Sequence, residues 1–323
     1  MTVTIGPHAV RRVLVTGATG FVGARVMEAL AQQPDLEIIG LARRAPPEAL
    51  RLAGVRWLQA DVLDEAGMQA VLREARPGVL LHAAWYVEHG KFWDAPENQH
   101  WLEASLALIA HFYESGGRRV VGVGTCAEYA TDGQDSQYPW REDRAVSPTT
   151  PYGIAKAQLA SALFDMAARG TAREAAWARL FHLFGPGEHP ARLVPSVIAS
   201  LQTGQPARCG PGDLVRDFAS TWFVGSALAA LLSSGVTGAV NVASGVPTTL
   251  AALVGHIAAL LAREDLLQVG ALPGRPGEVP TMVANIDRLR HDVGFHEQFE
   301  SAVALRRLVG ATGVVRQESQ PKW

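Results

Sequence analysis

One short stretch near the start of the chain restricts the possible fold more than any other part of the sequence. The apolar run at residues 12–16 is typical of a buried strand, a glycine-rich turn follows at once, and a helical pattern occupies residues 22–30. Strand, glycine-rich turn and helix in this order are the usual context of a dinucleotide-binding loop. Gly17 permits the tight turn, Gly20 lets the backbone approach a pyrophosphate, and Gly23 lets helix and strand pack closely. The predicted cofactor contacts of this loop are Gly17, Thr19, Gly20, Phe21, Val22 and Gly23.

Strands and helices alternate along the rest of the chain. Short apolar runs predict strands at residues 36–41, 55–59, 78–82, 118–124, 176–181 and 239–242. Helical patterns lie at residues 64–75, 97–115, 152–170 and 193–201. Such alternation places helices on both faces of a parallel sheet. We therefore predict an α/β fold with a Rossmann-type, doubly wound parallel sheet.

The end of the second predicted strand bears on the choice between NAD and NADP. NAD-binding sheets usually carry a carboxylate here for the ribose 2′-hydroxyl, whereas NADP-binding sheets carry arginine. Residues 40–44 contain no carboxylate and end in Arg43 and Arg44, whose guanidinium groups suit a 2′-phosphate. The alternative is two solvated surface arginines, but the pattern favours NADP, as NADPH, over NAD. Asp61, followed by Val62, is placed to reach the adenine edge or to cap the next helix.

A second pattern carries the predicted chemistry. A buried-strand run leads to Thr125, and Tyr152 and Lys156 follow four residues apart, so on a helix they share one face. A phenol with a pKa of about 10 is a poor acid–base group at neutral pH, but an ammonium group roughly 4–6 Å away favours the phenolate and lowers that pKa. The alternative is a surface pair on an amphipathic helix. Only three of the 29 basic residues are lysines, and one stands here, where a compact charge is needed. We predict that Thr125, Tyr152 and Lys156 are the catalytic residues.

Charge and composition argue against several classes of partner. The formal net charge of −2 disfavours a nucleic-acid or membrane-surface protein, and no run of about 18 apolar residues predicts a membrane span. Residues 1–9 lack the apolar core of a signal peptide. The two cysteines, Cys126 and Cys209, and the ten histidines show no metal-ligand spacing. We expect a cytoplasmic protein with reduced thiols and without a metal site.

The motif residues of the chain resemble those of the extended short-chain dehydrogenase/reductase family, in its nucleotide-sugar-modifying branch, over nearly the whole sequence. They are Gly17, Gly20, Gly23, Asp61, Thr125, Tyr152 and Lys156. The resemblance implies a Rossmann domain, here residues 1–182 and 214–245, and a smaller C-terminal substrate domain, residues 183–213 and 246–323. By position, Tyr152 would be the acid–base residue, Thr125 the active-site hydroxyl, and Lys156 the ligand of the nicotinamide ribose. The family also implies a homodimer.

The same resemblance implies further binding residues. Additional cofactor contacts would come from His82, Ala83, Ala84, Tyr152 and Lys156, and substrate contacts from Trp85, Glu128, His182, Arg216 and Arg275. Arg216 and Arg275 resemble arginines that grip the nucleotide and its diphosphate, with surface salt bridges as the alternative. His182 stands where many relatives have a substrate-binding asparagine, and would be a donor, a second acid–base group or a packed histidine. The aromatic segment after His82 would line a sugar or base pocket, or pack in the core or in a dimer interface.

The residues beside Thr125 narrow the reaction. Nucleotide-sugar 4,6-dehydratases of this family follow their threonine with Asp-Glu, and UDP-glucuronate decarboxylases carry glutamate two residues after it, whereas this chain has Cys126 and Ala127. On a strand-like path Glu128 would point the other way from Ala127. A 4-ketoreductase or a 4-epimerase needs only the threonine, tyrosine and lysine. We predict NADPH-dependent reduction of a keto group, at C4, of a nucleotide-linked 4-keto-6-deoxy hexose. An NAD-dependent nucleotide-sugar 4-epimerase is the runner-up, and a non-catalytic NADP(H)-binding regulatory protein is the alternative of another class.

Overall fold

The computed structural model describes residues 11–131, 138–274 and 277–312. Its strands, in chain order, are β1 (Arg11–Thr16), β2 (Leu36–Ala42), β3 (Val55–Gln59), β4 (Val79–His82), β5 (Arg119–Thr125), β6 (Glu174–Leu180), β7 (His182–Phe184), β8 (Ala207–Arg208), β9 (Val215–Ser220), β10 (Gly238–Val242), β11 (Pro247–Thr249), β12 (Leu267–Gln268) and β13 (Thr281–Met282). Its α-helices are α1 (Gly23–Leu30), α2 (Glu65–Ala75), α3 (Glu97–Glu114), α4 (Pro151–Ala168), α5 (Leu193–Gln202), α6 (Thr221–Ser233), α7 (Leu250–Leu261) and α8 (Ser301–Thr312). The predicted elements agree with these bounds to within two residues.

Seven parallel strands form the main sheet in the order β10–β6–β5–β4–β1–β2–β3. In this register Leu14 of β1 lies between Ile39 of β2 and Leu80 of β4. The chain steps outward from β1 in both directions, through β2 and β3 on one side and through β4, β5 and β6 on the other. In such doubly wound sheets the loops diverge after the first and fourth strands and leave a crevice at the carboxyl edge. The predicted fold class is confirmed.

Each face of the main sheet carries its own apolar core. Helices α1 and α6 cover one face, where Val15 and Leu228 are fully buried. Helices α2, α3 and α4 cover the other face, where Leu14 and Ile109 are fully buried. Successive residues of β1 therefore enter opposite cores, which explains why this strand is a continuous apolar run rather than an alternating one.

A second, four-stranded sheet has β9 at its centre, paired with β7, β11 and β13. Helices α5, α7 and α8 pack around a third apolar core beside it, which includes Val197, Leu253 and Leu305. The chain leaves this smaller unit after β9, returns to the main sheet through α6 and β10, and re-enters the smaller unit at β11. The sequence-based division placed residues 214–245 together with the main sheet, but β9 pairs with strands of the smaller one.

Candidate active site

A chain of buried hydrogen bonds closes the base of the crevice between β1 and β4. The Thr16 hydroxyl lies 2.8 Å from Nδ1 of His82, and Nε2 of His82 lies 2.8 Å from the Ser105 hydroxyl. Burial, together with the charge of Lys156, lowers the pKa of His82 to about 3, so the ring is neutral at pH 7. His82 therefore ties β1, β4 and α3 together. Both of its ring nitrogens bind protein groups, and the cofactor contact that the resemblance implies for this residue stays a prediction.

The glycine-rich turn has no room for side chains at two positions. Gly17 has φ +66°, and a Cβ atom there would lie 2.8 Å from the backbone nitrogen of Ala84. A Cβ atom at Gly23 would overlap the carbonyl oxygen of Gly17. The N–H of Gly20 donates to that same carbonyl at 2.9 Å, and Thr19 and Gly20 are exposed at the tip of the turn. The open backbone at the start of α1 fits the pyrophosphate of a dinucleotide.

The other predicted cofactor residues lie along the same edge of the sheet. Arg43 and Arg44 are exposed directly after β2. The Asp61 carboxylate is half-buried and accepts from a neighbouring backbone N–H, whereas Asp64 caps α2 by accepting from the N–H of Gly67 at 3.1 Å. The alternative that Asp61 caps this helix is therefore wrong. Phe21, Val22 and Ala83 are half-buried, and Val62 and Ala84 are buried.

Strand β5 and helix α4 bring Thr125 and Tyr152 together. The strand ends at Thr125, and α4 begins just before Tyr152, where the Thr150 hydroxyl caps the helix by accepting from the N–H of Gly153 at 3.2 Å. A Cβ atom at position 153 would lie 2.7 Å from the carbonyl oxygen of Ala127, so glycine allows the helix to start against the turn after β5. Thr125 acts on the Tyr152 phenol as a side-chain hydrogen-bond partner and lowers its pKa. Two of the three predicted catalytic side chains thus lie beside each other.

The Tyr152 phenol keeps its proton more firmly than a free phenol does. Burial raises the pKa of Tyr152, and the negative charge of Glu128 and that of an ionised Cys126 raise it further, while a hydrogen bond with Thr125 and the charge of Arg192 oppose them. The net shift is opposite to the lowering expected from Lys156, because burial dominates. At neutral pH the phenol is a proton donor.

The Lys156 ammonium group faces away from solvent into an aromatic pocket. Its Nζ donates to the carbonyl oxygen of Val123 at 2.9 Å and lies 3.9 Å from the centre of the Trp85 ring and 5.9 Å from that of Trp177. Burial lowers the pKa of Lys156 to about 7, and the charge of Glu128 opposes this effect. The charge is therefore held by a carbonyl dipole and by cation–π contacts.

The aromatic segment after β4 divides into a core part and a part that faces the phenol. Trp85 is 8% exposed, and its indole N–H donates to the Asn98 side chain at 2.9 Å. Trp85 was predicted to contact the substrate, but in the structure its ring is buried and packs against the Lys156 ammonium group. Phe92 and Trp93 instead meet the Tyr152 ring edge to face, with centroid distances of 4.9 and 5.5 Å. These two rings form the wall beside the phenol.

Glu128, a predicted substrate contact, is fully buried and bound to protein groups. After β5 the chain makes a single 3₁₀ turn at residues 126–128, which brings the carboxylate back to the N–H of Thr125 at 2.8 Å. Trp177 Nε1 and Arg179 Nε each donate to it at 2.9 Å. This placement leaves no carboxylate surface for a substrate. The sequence analysis did not identify the partners of Glu128. Arg179 could have indicated them, because it is a charged residue inside the buried strand β6 and a buried charge needs a counter-charge.

His182 begins β7 and Arg216 lies on the neighbouring strand β9. The His182 Nδ1 atom is buried and has no hydrogen-bond partner within the described residues. Burial, then the charges of Arg216 and Arg192, lower the pKa of His182 to about 3, so its ring is neutral. Arg216 is 6% exposed and donates to backbone carbonyls of its own sheet region. Arg275 lies outside the described residues, so the convergence of Arg216 and Arg275 stays a prediction.

Two charged residues near this edge carry no recognisable sequence signal. Arg192, just before α5, is exposed, and its charge acts on both Tyr152 and His182. Glu188 lies in the loop after β7, where burial raises its pKa to about 8. One carboxylate oxygen of Glu188 is buried and unpartnered among the residues that the structure describes. Both residues belong to an irregular loop, where no periodic pattern marks which side chains face inward.

Across residues 11–131, 138–274 and 277–312, no group of three or more His, Cys, Asp or Glu side chains is arranged to hold a metal ion. Nor does this part of the chain contain a helix with the length and apolarity that crossing a membrane requires.

Comparison with known proteins agrees with this geometry. Residues 13–243 match the family described as the NAD dependent epimerase/dehydratase family. A UDP-glucose 4-epimerase from Rhizobium leguminosarum bv. trifolii is 25% identical, over 91% of this chain and 95% of its own length. A dTDP-4-dehydro-6-deoxy-D-allose reductase from Streptomyces bikiniensis is 24% identical, over 89% of this chain and 92% of its own.

Solved structures share the fold. A UDP-glucose 4-epimerase from Stenotrophomonas maltophila, with bound NAD and formylated UDP-arabinopyranose, superposes with a TM-score of 0.82 at 21% identity. The match covers 94% of this chain and 99% of that one.

We expect Gly23→Ala to abolish dinucleotide binding at this turn, because the added methyl group overlaps the Gly17 carbonyl and pushes α1 away from β1. A dinucleotide at about 100 times its Kd should stabilise the wild-type chain by about 2.7 kcal/mol, and the variant by almost nothing. Thermal unfolding with and without NADPH measures both.

Gly255→Ala on α7 is the matched control, since a Cβ there meets open space. This variant should keep the full dinucleotide-induced rise in Tm. An equal rise in the Gly23→Ala protein would contradict the assignment of the turn.

Proposed function

Because the chain belongs to the NAD dependent epimerase/dehydratase family, we propose that it is an NADPH-dependent reductase of a nucleotide-linked 4-keto-6-deoxy hexose. At the coarser level it is a nucleotide-sugar-modifying enzyme and an NAD(P)-dependent oxidoreductase. The observation that carries the proposal is the placement of the Thr125 hydroxyl beside the Tyr152 phenol, whose pKa is raised by burial so that it keeps its proton. A protonated phenol beside a second hydroxyl is suited to receive a carbonyl oxygen and give it a proton.

The residues of the site would act as follows. Thr125 donates a hydrogen bond to the keto oxygen and holds it against Tyr152, which transfers its proton to that oxygen as the alcohol forms. The bound nicotinamide supplies the hydride that reduces the carbonyl carbon. Lys156, one turn further along α4, would hold the nicotinamide ribose, as the family resemblance implies. Phe92 and Trp93 shield the phenol from water on one side.

Arg43 and Arg44 support NADPH as the reductant. Both are exposed directly after β2, and residues 40–44 contain no carboxylate that would select a 2′-hydroxyl. Their guanidinium groups suit a 2′-phosphate through charge-assisted hydrogen bonds. A cofactor that is consumed and released fits net reduction.

The substrate class is supported by a relative and by the basic groups near the phenol. The Streptomyces reductase is named for a dTDP-linked 4-dehydro-6-deoxy sugar. Arg216 would bind the diphosphate, with Arg275 as its predicted partner, and the unpartnered Nδ1 of His182 would meet a hydroxyl or phosphate oxygen of the substrate.

A 4-epimerase is the second candidate. The Rhizobium relative is named as a UDP-glucose 4-epimerase, and the same threonine, tyrosine and lysine serve that reaction. An epimerase returns the hydride to its substrate, so it consumes no cofactor, whereas a reductase oxidises one NADPH for each sugar.

We expect the purified protein to oxidise NADPH, in preference to NADH, with at least one of a panel of nucleotide 4-keto-6-deoxy sugars. The loss of reduced-nicotinamide absorbance measures the reaction, and the responding sugar identifies the nucleotide. No oxidation with any sugar, together with interconversion of nucleotide hexoses by protein carrying bound NAD, would replace the reductase with the epimerase.

Tyr152→Phe should lower kcat by about 10²–10⁴-fold, the usual contribution of a positioned acid–base group, while binding of NADPH is kept. Tyr113→Phe removes a phenol that donates to a backbone carbonyl at the far end of α3 and should leave kcat unchanged. Unchanged kcat in Tyr152→Phe would contradict the acid role of the phenol. NADPH binding by the wild-type protein without turnover of any sugar, and with no effect of Tyr152→Phe, would instead favour a non-catalytic NADP(H)-binding regulatory protein.

Arg43→Ala should raise the KM for NADPH by about 10–100-fold, since a hydrogen bond to a charged group contributes about 1.5–3 kcal/mol. The KM for NADH should not change, because NADH has no 2′-phosphate. Arg73→Ala, at an exposed position of α2, is the control for loss of a surface charge. Equal effects of Arg43→Ala on both cofactors would contradict the NADPH assignment.

A further inference from the structure

We propose that Glu128 is a positioning residue, whose buried carboxylate fixes the backbone of Thr125 and supplies the negative charge that both Tyr152 and Lys156 face. The proposal rests on the proposed roles of Thr125, Tyr152 and Lys156 in proton and hydride transfer. It does not depend on whether the enzyme is a reductase or an epimerase.

The carboxylate is fully engaged within the protein. Oε1 accepts from the N–H of Thr125 at 2.8 Å and from Nε1 of Trp177 at 2.9 Å. Oε2 accepts from Nε1 of Trp177 at 3.0 Å and from Nε of Arg179 at 2.9 Å. Glu128 is 0% exposed, and the Arg179 side chain is 6% exposed. Three donors, one of them a guanidinium group and one an indole N–H shared between both oxygens, satisfy the buried carboxylate in its ionised form.

The surrounding chain is shaped to receive this carboxylate. A Cβ atom at Gly124 would collide with the Trp177 indole nitrogen and would lie 2.5 Å from Oε1 of Glu128. Glycine at this position of β5 therefore makes the space in which the carboxylate and the indole meet. The site requires a specific residue at each of three places, on β5, on the 3₁₀ turn and on β6.

The charge of Glu128 acts on both proton-bearing groups of the site. It raises the pKa of Lys156 against burial, and it raises the pKa of Tyr152 together with burial. Cys126, Thr125 and Arg192 also act on Tyr152. The charge of Lys156 in turn acts on His82 of β4.

On the far side, the carboxylate faces Arg179 and Tyr129, which share its hydrogen-bond network. The hydroxyl of Tyr129 donates to the Asn241 side chain at 2.6 Å. Glu128 is therefore the anion between the catalytic side chains and Arg179.

Without the negative charge of Glu128, both Lys156 and Tyr152 lose their protons at lower pH. A reduction that requires the protonated phenol and the ammonium group then fails at lower pH, so the alkaline limb of its pH profile moves down. A residue with a purely structural role would reduce stability without moving that limb.

The deciding measurement is the titration of Lys156 in the full chain, followed by NMR of protein labelled with ¹³Cε-lysine. The chain contains only three lysines, Lys91, Lys156 and Lys322, so assignment by single substitution is direct. In wild type, the Lys156 signal should titrate with a midpoint near pH 7, as its lowered pKa indicates. In Glu128→Gln the midpoint should fall by about one pH unit, the usual effect of removing a nearby opposite charge. An unchanged midpoint overturns the proposal.

Glu142→Gln is the matched control. Glu142 is also partly buried and accepts from a backbone N–H, that of Asn241 at 2.9 Å, but its charge is not among those that act on Lys156 or Tyr152. This variant should leave the Lys156 midpoint in place. A shift as large as that in Glu128→Gln would show a general effect of lost charge and would also overturn the proposal.

Glu128→Asp keeps the charge and shortens its reach, so it remains informative if Glu128→Gln does not fold. Its Lys156 midpoint should stay at the wild-type value, while kcat falls by about tenfold or more because Thr125 is displaced. Wild-type kcat in this variant contradicts the positioning role. The NMR titration needs no substrate, so it tests the effect of the Glu128 charge separately from the reaction. If the Lys156 midpoint falls in Glu128→Gln but the wild-type protein oxidises no NADPH, the proposed reaction is rejected while the effect of Glu128 on Lys156 stands.

Discussion

The structure depends on how three buried polar side chains at the carboxyl ends of the main-sheet strands find partners inside the protein. His82 is bound between Thr16 and Ser105, Glu128 is bound across β5 and β6, and Lys156 contacts a backbone carbonyl and an indole ring. These contacts join four strands and two helices at one edge of the sheet. The reacting groups are therefore held in place by contacts that need no ligand, which is the preorganisation that catalysis requires.

In the proposed mechanism Thr125, Tyr152 and Lys156 would serve reduction and epimerisation alike, so the difference between the two reactions would lie in the cofactor and in the charges around the phenol. Burial and the Glu128 carboxylate keep the proton on Tyr152, and Arg192 acts in the opposite direction. A substrate diphosphate near Arg192 or Arg216 would offset their positive charge and leave the phenol more firmly protonated. The charges that bind an anionic substrate would therefore also affect how firmly Tyr152 holds its proton.

Much of this arrangement could be predicted from the sequence. Strands buried on both faces are continuous apolar runs, so their bounds were accurate to within two residues, and the strand end at Thr125 and the helix start at Tyr152 belong to the carboxyl edge of any such sheet. The partners of the charged groups could not be predicted in this way. Glu128 was expected on a strand-like path, but the 3₁₀ turn folds it back beneath Thr125. The contact of Lys156 with Trp85 depends on how two distant segments pack, which no local pattern records.

The path of the chain between the two sheets affects how this architecture can diversify. The smaller unit is built from two separate stretches, because α6 and β10 return to the main sheet between β9 and β11. It therefore cannot be exchanged between proteins as one continuous cassette, by recombination or by engineering, without also moving the helix that packs on α1. New substrate preferences are more accessible through single side-chain replacements on β7, β9 and the loop before α5. Proteins of this architecture are expected to diverge in specificity gradually, residue by residue, while the exchange of whole modules is suppressed.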